Sequence, residues 1–309
     1  MNRAFAIGSI PVRVHFSFVI STAVLGMAFW DSMPLLAVWI CVVFVSVLIH
    51  ELGHAIAGRA FGLAPQIDLH GMGGTTSWDG RRKLSTARSV IVSLAGPFTG
   101  IACGAALLAE IALRGAPSGE LAASAASFAL EVNIGWGLFN LLPILPLDGG
   151  NVLRSLLLAA RRERGDSGEK IARIVSMVAA IGVGLLALLV YRQWWVAMLG
   201  AMFAVQNFKA LREISAKDTD APLRAELDAA YRALEQQDGH AVLALAEPVR
   251  ARAKSGGVVA EAIHLLAYGH LILGHVAEAD AAIAQLPSGF RPHPALLELR
   301  AQRAQAGRG

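Results

Sequence analysis

The stretch HELGHAIAG, residues 50–58, follows the apolar run LLAVWICVVFVSVL at 35–48. The first five letters match the pattern H-E-x-x-H, in which two histidines on one helix face bind zinc and the glutamate acts as a base. The composition of the preceding run is that of a helix in lipid, and the run lies within a candidate membrane span of residues 34–60. The sequence therefore predicts a metal-binding motif at the end of a transmembrane helix.

The composition supports a membrane protein. The chain has 309 residues, of which 55% are hydrophobic and 16% are charged, and its mean hydropathy is +0.53. Soluble domains carry about 25% charged residues. The two cysteines, Cys41 and Cys103, lie in apolar runs and exclude a Cys-rich zinc site. Basic residues show no stripe interleaved with exposed aromatics, so nucleic acid is not an expected partner.

Apolar segments long enough to cross a bilayer predict about six transmembrane helices. They cover residues 14–30, 34–60, 87–113, 122–145, 172–190 and 193–210. Basic residues concentrate in the loops after the second and fourth of these, which places both loops and both termini in the cytoplasm. These basic residues are Arg81, Arg82, Lys83, Arg88, Arg154, Arg161, Arg162, Arg164, Lys170 and Arg173.

The segment FGLAPQIDLHGMGGTTSWDG, residues 61–80, is too short and too rich in glycine to span a membrane. It predicts a β-hairpin or a re-entrant segment, and an ordinary surface loop is the alternative. Irregular backbone at membrane depth requires cover by protein or a wet cavity. Because the segment follows the metal motif, it is a candidate edge for pairing with an extended substrate.

The two histidines share one face of the predicted second helix. At about 100° per residue, His50 and His54 lie about 40° apart, with Glu51 at the border of that face. Small or polar residues occupy the same sector, whereas large apolar side chains occupy the far side. Ionisable groups inside a membrane are costly to bury, so this face is a candidate functional site.

A third ligand is expected from FNLLPILPLDGG, residues 139–150. Zinc hydrolases use three protein ligands and an open position. The predicted topology brings Asp148, at the end of the fourth span, to the same cytoplasmic-side level as His54. Pro143 and Pro146 interrupt the helix, and the glycines after Asp148 permit close backbone approach. An isolated D-G-G sequence is also compatible with an ordinary turn.

HELGH on an early span followed by NLLPILPLDGG on a later one resembles the site-2 protease family of intramembrane zinc metalloproteases. The resemblance covers most of residues 1–210. It implies one Zn²⁺ per chain held by His50, His54 and Asp148, with Glu51 as the catalytic base. It also implies that Asn140 binds the substrate backbone or stabilises the transition state.

The third span departs from that family. Many relatives carry G-P-x-x-N, whereas AGPFTG at 95–100 places Gly100 at the asparagine position. Gly96, Gly100 and Gly104 form a stripe of small residues that favours tight helix packing. This span is therefore interpreted as scaffold.

Residues 213–309 predict a small soluble helical domain after the membrane domain of residues 1–212. GHAVLALA at 239–246 and GHVAEADA at 274–281 are 35 residues apart, close to the 34-residue period of tetratricopeptide repeats. The alternative is a generic alanine-rich helical tail. Repeats of this kind bind proteins, so a protein partner or self-association is expected here.

The fold class expected is an all-α polytopic membrane protein with a short membrane-associated hairpin and a tetratricopeptide-like tail. The function expected is a zinc endopeptidase that cuts transmembrane or membrane-proximal segments of other proteins, in a bacterial inner membrane. The alternatives are a non-proteolytic zinc-containing scaffold, which a fourth protein ligand would favour, and a metal transporter, which requires polar residues along several spans.

Overall fold

The computed structural model describes residues 3–78, 84–161 and 166–306. Five of the predicted loop cations, Arg81, Arg82, Lys83, Arg162 and Arg164, lie outside these ranges. The chain divides into two compact units, Met1–Phe208 and Lys209–Gly309.

The first unit is mostly helical. Helix α1 covers Phe16–Leu25, followed by a 3-10 turn at Met27–Phe29. The long helices α2 and α3 cover Met33–Ala60 and Thr86–Arg114. The next helical stretch consists of α4, a π-helical turn and α5, which cover Glu120–Leu130, Glu131–Trp136 and Gly137–Asn140. The remaining helices are α6 at Asp148–Ala160, α7 at Ser167–Leu189 and the beginning of α8, Trp194–Glu235.

Four helices in the described ranges are long and apolar enough to cross a membrane. They are Met33–Ala60, Thr86–Arg114, Glu120–Asn140 and Ser167–Leu189. They correspond to the second to fifth predicted spans. In the first predicted span, 14–30, α1 has only 10 residues, whereas a perpendicular crossing needs about 20. The sixth predicted span lies in the first part of α8, so the total of six spans stays a prediction.

A four-stranded sheet accompanies these helices, with strand order β1-β2-β3-β4. The predicted hairpin within 61–80 is present as β3, Pro65–His70, and β4, Gly73–Trp78, which pair antiparallel. Strands β1, Arg3–Ile7, and β2, Ile10–Val14, were not expected from the sequence. Strand β2 pairs parallel with β3, so residues distant in sequence complete the sheet.

The sheet packs on the helix that carries the histidines. Ile67 and Leu69 of β3 and Val12 of β2 are completely buried, and they form one apolar cluster with Val43 and Val47 of α2. Burial of such side chains contributes roughly 1.5–3 kcal/mol each. This cluster fixes the hairpin beside α2.

The second unit consists of the remainder of α8 and four further helices. These are α9 at Gly239–Arg252, α10 at Gly256–Ile272, α11 at Val276–Ile283 and α12 at Pro294–Ala306. Leu227, Val242, Val249, Val258 and Leu265 form its main core. Successive helices are consistent with the predicted tail, and its tetratricopeptide-like character stays a prediction.

Candidate metal centre

The two motif histidines lie side by side on α2, as their spacing predicts. Both are buried, with 7% of each residue exposed. Their Nε2 atoms are 3.2 Å apart. A separation of four residues places two side chains about one turn apart on the same face, so local helix geometry alone brings these nitrogens together.

Asp148 completes the group from 98 residues away. Its Oδ2 lies 3.2 Å from Nε2 of His50 and 3.3 Å from Nε2 of His54. Zinc ligands at about 2.0–2.1 Å in a tetrahedral arrangement are about 3.3–3.4 Å from one another. The three donor atoms therefore have the mutual spacing of one face of a zinc tetrahedron, and the donor set of two imidazoles and a carboxylate suits that ion.

The position of Asp148 differs in one respect from the prediction. The fourth predicted span, 122–145, ends as a helix at Asn140, and Asp148 is the first residue of α6. Pro143 and Pro146 lack the N–H needed to continue a helix, so residues 141–147 form a loop. Asp148 thus enters the site from a helix N-terminus, not from the end of a span.

A backbone carbonyl group orients one of the histidine rings. Nδ1 of His54 lies 2.7 Å from the carbonyl oxygen of Val92 on α3. Because a carbonyl only accepts, Nδ1 carries the hydrogen and donates it, and Nε2 keeps its lone pair. This is the tautomer that a metal ligand needs, and such outer contacts also fix the ring orientation.

Glycine makes room for this ring on α3. A Cβ atom at Gly96 would overlap the imidazole of His54. Gly96 therefore lets α3 approach the imidazole of His54 closely, whereas Gly100 and Gly104 of the same stripe face Asn133 and Ile134.

The carboxylate of Glu51 is held by the hairpin. Thr76 on β4 donates from Oγ1 to Oε2 of Glu51 over 2.7 Å, and the same hydroxyl lies 3.0 Å from the Glu51 carbonyl oxygen. Glu51 is 5% exposed. A Cβ atom at Gly74 would lie 2.5 Å from Cγ of Glu51, so β4 passes directly over this side chain. Thr76 was not predicted as a site residue from the sequence, although the Thr75-Thr76 pair lies in the predicted hairpin.

Asn140 is buried, with 7% exposure. Its Nδ2 donates to the carbonyl oxygen of Trp136 over 3.1 Å. The described contacts join it to its own helix and not to His50, His54 or Asp148. Its suggested role toward substrate stays a prediction.

A second buried asparagine, Asn133, faces Gly100 of the third span. Asn133 in the π-helical turn donates from Nδ2 to Ser46 Oγ over 2.8 Å and to the Ala129 carbonyl oxygen over 2.8 Å. Its Oδ1 has no hydrogen-bond partner among the described residues. A Cβ atom at Gly100 would lie 3.8 Å from that oxygen. The third span thus faces a buried polar amide at Gly100.

Within residues 3–78, 84–161 and 166–306, His50, His54 and Asp148 are the only group found with metal-ligand spacing. Glu51 is not a member of this group. A zinc ion held by these three residues would keep one position open, as catalytic zinc sites require. A fourth protein ligand, which would favour a structural zinc site, is therefore not found in the described part of the chain.

Comparison with known proteins agrees with this site. The sequence profile of Peptidase family M50 matches residues 116–186, a range that includes Asn140 and Asp148. A zinc metalloprotease of Methanocaldococcus jannaschii is 28% identical over 202 residues, which cover 61% of this chain and 56% of that protein. Rip3 of Mycobacterium tuberculosis, named as a candidate zinc metalloprotease, is 37% identical over 145 residues, which cover 45% of this chain and 36% of Rip3.

The solved structure of a site-2 protease from M. jannaschii is 26% identical, and the alignment covers 69% of this chain and 96% of that one with a TM-score of 0.49. These sequence matches are to proteins named as zinc metalloproteases and, over residues 116–186, to Peptidase family M50. The chain spans 56% or less of the length of these curated relatives.

Proposed function

We propose that this chain is an intramembrane zinc endopeptidase of the site-2 type, which hydrolyses peptide bonds in or near transmembrane segments of membrane proteins. The observation that carries the proposal is the triangle of His50, His54 and Asp148 donor atoms, 3.2–3.3 Å apart. His50 and His54 lie on a helix apolar enough to span a membrane, and the buried carboxylate of Glu51 directly follows His50 in sequence.

His50, His54 and Asp148 would hold one zinc ion. When bound, zinc acts as a Lewis acid on the scissile carbonyl and lowers the pKa of a water molecule to about 7. The tautomer of His54 is already set by Val92, so its Nε2 is ready to coordinate. Both histidines can bind the ion while α2 keeps its helical conformation.

Glu51 is the residue we assign to proton transfer. Its carboxylate accepts a proton from the attacking water and returns it to the nitrogen of the leaving amine. Thr76 donates to Oε2 of Glu51, so we assign the proton to Oε1. Thr76 is a positioning residue in this scheme because it acts through Glu51.

Strand β4 supplies an edge for the substrate. It is the last strand in the order β1-β2-β3-β4 of the described sheet, and its Thr76 contacts Glu51. A transmembrane helix hides its carbonyls in hydrogen bonds, so a substrate must unwind before cleavage. An unwound segment that pairs with β4 would replace those bonds and pass beside the catalytic glutamate. Asn140 remains a candidate for binding the substrate backbone or stabilising the transition state.

The proposal also includes the membrane location of the chain and a binding role for its helical tail. The basic loops favour cytoplasmic N- and C-termini, in a bacterial inner membrane. The helical domain of residues 213–309 would bind a protein partner or a second copy of the chain, in the manner of tetratricopeptide repeats. It would thereby control access of the substrate to the membrane domain.

The test compares Glu51→Gln with the wild type in cells, by quantifying the fragments of membrane proteins. We expect Glu51→Gln to retain zinc and to lose cleavage by about 10²-fold or more. Glu131→Gln is the matched control, because it makes the same change on an exposed residue of another helix. Undiminished cleavage by Glu51→Gln would exclude this base, and wild-type protein without cleavage products but with zinc would favour the scaffold.

A further inference from the structure

The loop that precedes Asp148 is held by hydrogen bonds to the backbone of one residue, Leu145. Its N–H donates to Oγ of Ser176 on α7 over 3.0 Å. Its carbonyl oxygen accepts from Nδ2 of Asn207 on α8 over 2.7 Å. Two side chains from two different helices therefore satisfy both backbone polar groups of Leu145.

Both side chains are buried and are themselves held in place. Ser176 is 0% exposed and Asn207 is 1% exposed. Ser176 donates to the Ala172 carbonyl oxygen over 2.7 Å, so its oxygen lone pairs face Leu145. Asn207 also donates to the Phe203 carbonyl oxygen over 2.8 Å.

Charged residues set the orientation of the Asn207 amide. Nη1 of Arg173 lies 3.3 Å from Oδ1 of Asn207, and a guanidinium can only donate. The amide NH₂ group is thereby directed to Leu145. Arg173 is in turn paired with Glu169 over 2.9 Å, and Glu169 also pairs with Arg154 of α6. The orientation thus depends on an ion-pair chain, not on a single contact.

The loop cannot supply these bonds itself. Two prolines interrupt residues 141–147, and Leu145 precedes one of them, so helical partners for its peptide groups are missing. Its neighbours Ile144 and Leu147 are buried against Ala180 of α7 and Phe203 of α8. An unpaired peptide group in such surroundings destabilises the conformation that buries it. The loop would relieve that destabilisation by shifting, and Asp148 would shift with it.

The turn that contains Leu145 connects this residue directly to Asp148. The N–H of Leu147 donates to the carbonyl oxygen of Ile144 over 2.7 Å, which closes the turn immediately before Asp148. Leu145 is three residues from Asp148. A displacement of the turn by a few tenths of an ångström would therefore change the distance from Oδ2 of Asp148 to the two histidines.

We propose that Ser176 and Asn207 are positioning residues that hold Asp148 at metal-binding distance from His50 and His54. The inference rests on the proposed zinc site and assigns a function to the polar residues of α7 and α8. These two helices correspond to the fifth and sixth predicted spans. They take part in the metal centre through Leu145, although neither contributes a ligand.

The experiment measures two properties of Ser176→Ala and Asn207→Leu in purified full-length protein. The first is zinc affinity, by competition with a chromophoric chelator. The second is hydrogen exchange of the peptide that contains residues 141–148 in zinc-free protein. Ser167→Ala is the matched control, because Ser167 is the first residue of the same helix and its buried Oγ has no partner among the described residues.

We expect a loss of zinc affinity of about 10- to 100-fold in each variant, as for other residues that orient metal ligands. We also expect faster exchange at Leu145, whereas the control retains wild-type values for both. Ser176→Ala removes one hydroxyl, so it keeps the test available if Asn207→Leu does not fold. Wild-type affinity and wild-type exchange in folded Ser176→Ala would overturn the proposal, as would an equal loss in Ser167→Ala.

The outcome separates this inference from the proposed function. If wild-type protein binds no zinc, the proposed function fails, whereas the exchange of residues 141–148 still reports whether Ser176 and Asn207 hold Leu145. If zinc binds normally and Glu51→Gln abolishes cleavage, but affinity is unchanged in folded Ser176→Ala and Asn207→Leu, only the positioning role fails.

Discussion

Oγ1 of Thr76 lies 2.7 Å from Oε2 of Glu51, so a strand of the sheet holds the carboxylate that follows His50 on α2. This contact connects the β3-β4 hairpin to Glu51, the proposed catalytic base. A strand edge that receives substrate and also orients the base would couple binding to catalysis, since displacing β4 would displace Glu51.

Removal of the Thr76 hydroxyl is expected to reduce turnover without releasing the metal. Thr76→Val keeps the shape of the side chain but cannot donate to Glu51, and we expect a loss of about 10-fold or more in kcat. Thr76→Ser retains the hydroxyl and should recover most of the activity. Cleavage of a purified substrate and zinc content would be measured together.

Thr75→Val is the matched control for this change. Thr75 lies on the same strand, and its Oγ1 is 2.8 Å from Nε2 of His70, not from Glu51. Equal losses in Thr75→Val and Thr76→Val would show that the strand, and not the bond to Glu51, determines the rate.

A methyl group at position 149 is expected to disrupt the loop of residues 141–147 that precedes Asp148. A Cβ atom at Gly149 would overlap the backbone carbonyl of Leu141, and backbone cannot move aside as a flexible side chain can. We expect Gly149→Ala to lose zinc and to unfold more easily, by roughly 1–3 kcal/mol. Gly182→Ala in α7 is the control, because nothing lies within 4 Å of its Cβ position. A stable, zinc-loaded Gly149→Ala protein would contradict the packing described here.

A hydroxyl at position 100 is expected to stabilise the protein. Oδ1 of Asn133 is buried without a partner among the described residues, and it lies 3.8 Å from the Cβ position of Gly100. Gly100→Ser would place a donor within reach of that oxygen and raise the free energy of unfolding by about 1 kcal/mol. Gly100→Ala adds the methyl group alone, so thermal unfolding of the two variants isolates the hydrogen bond. Equal unfolding temperatures would argue against it.

In the second unit, Asp220 is expected to make a stability contribution that acid removes. Its carboxylate accepts from the backbone N–H groups of Lys254 and Ser255, immediately before α10, over 2.8 and 2.6 Å. Burial raises the pKa of this carboxyl, but these hydrogen bonds outweigh burial and hold the pKa below the usual 3.8. Because the folded pKa is the lower one, the contribution is present above about pH 4 and is lost as the pH falls through the folded value.

Asp220→Ala should therefore accelerate hydrogen exchange of the α10 N-terminus at neutral pH, by a destabilisation of about 1–2 kcal/mol. The difference from wild type should shrink below about pH 4. Asp228→Ala is the control, since Asp228 is an exposed residue of the same helix. A difference that persists unchanged in acid would rule out the carboxylate as its source.

Much of the membrane domain could be predicted because its signals are local. Long apolar runs predicted α2, α3, the Glu120–Asn140 stretch and α7 within a few residues. Glycine and proline near residues 61–80 indicated the hairpin. Strands β1 and β2 were missed because a five-residue strand has a weak pattern, and β2 is completed by pairing with β3 more than fifty residues away.

The sequence by itself determined that His50 and His54 share a helix face, because a spacing of four residues does so in any α-helix. The family resemblance and the predicted topology together indicated Asp148 as the third metal ligand. Only the tertiary structure decided that Oδ2 of Asp148 lies 3.2–3.3 Å from both nitrogens, that Thr76 holds Glu51, and that Ser176 and Asn207 hold Leu145. The physical reason is that each of these contacts joins separate elements, and side-chain distances across them depend on packing that no local pattern encodes.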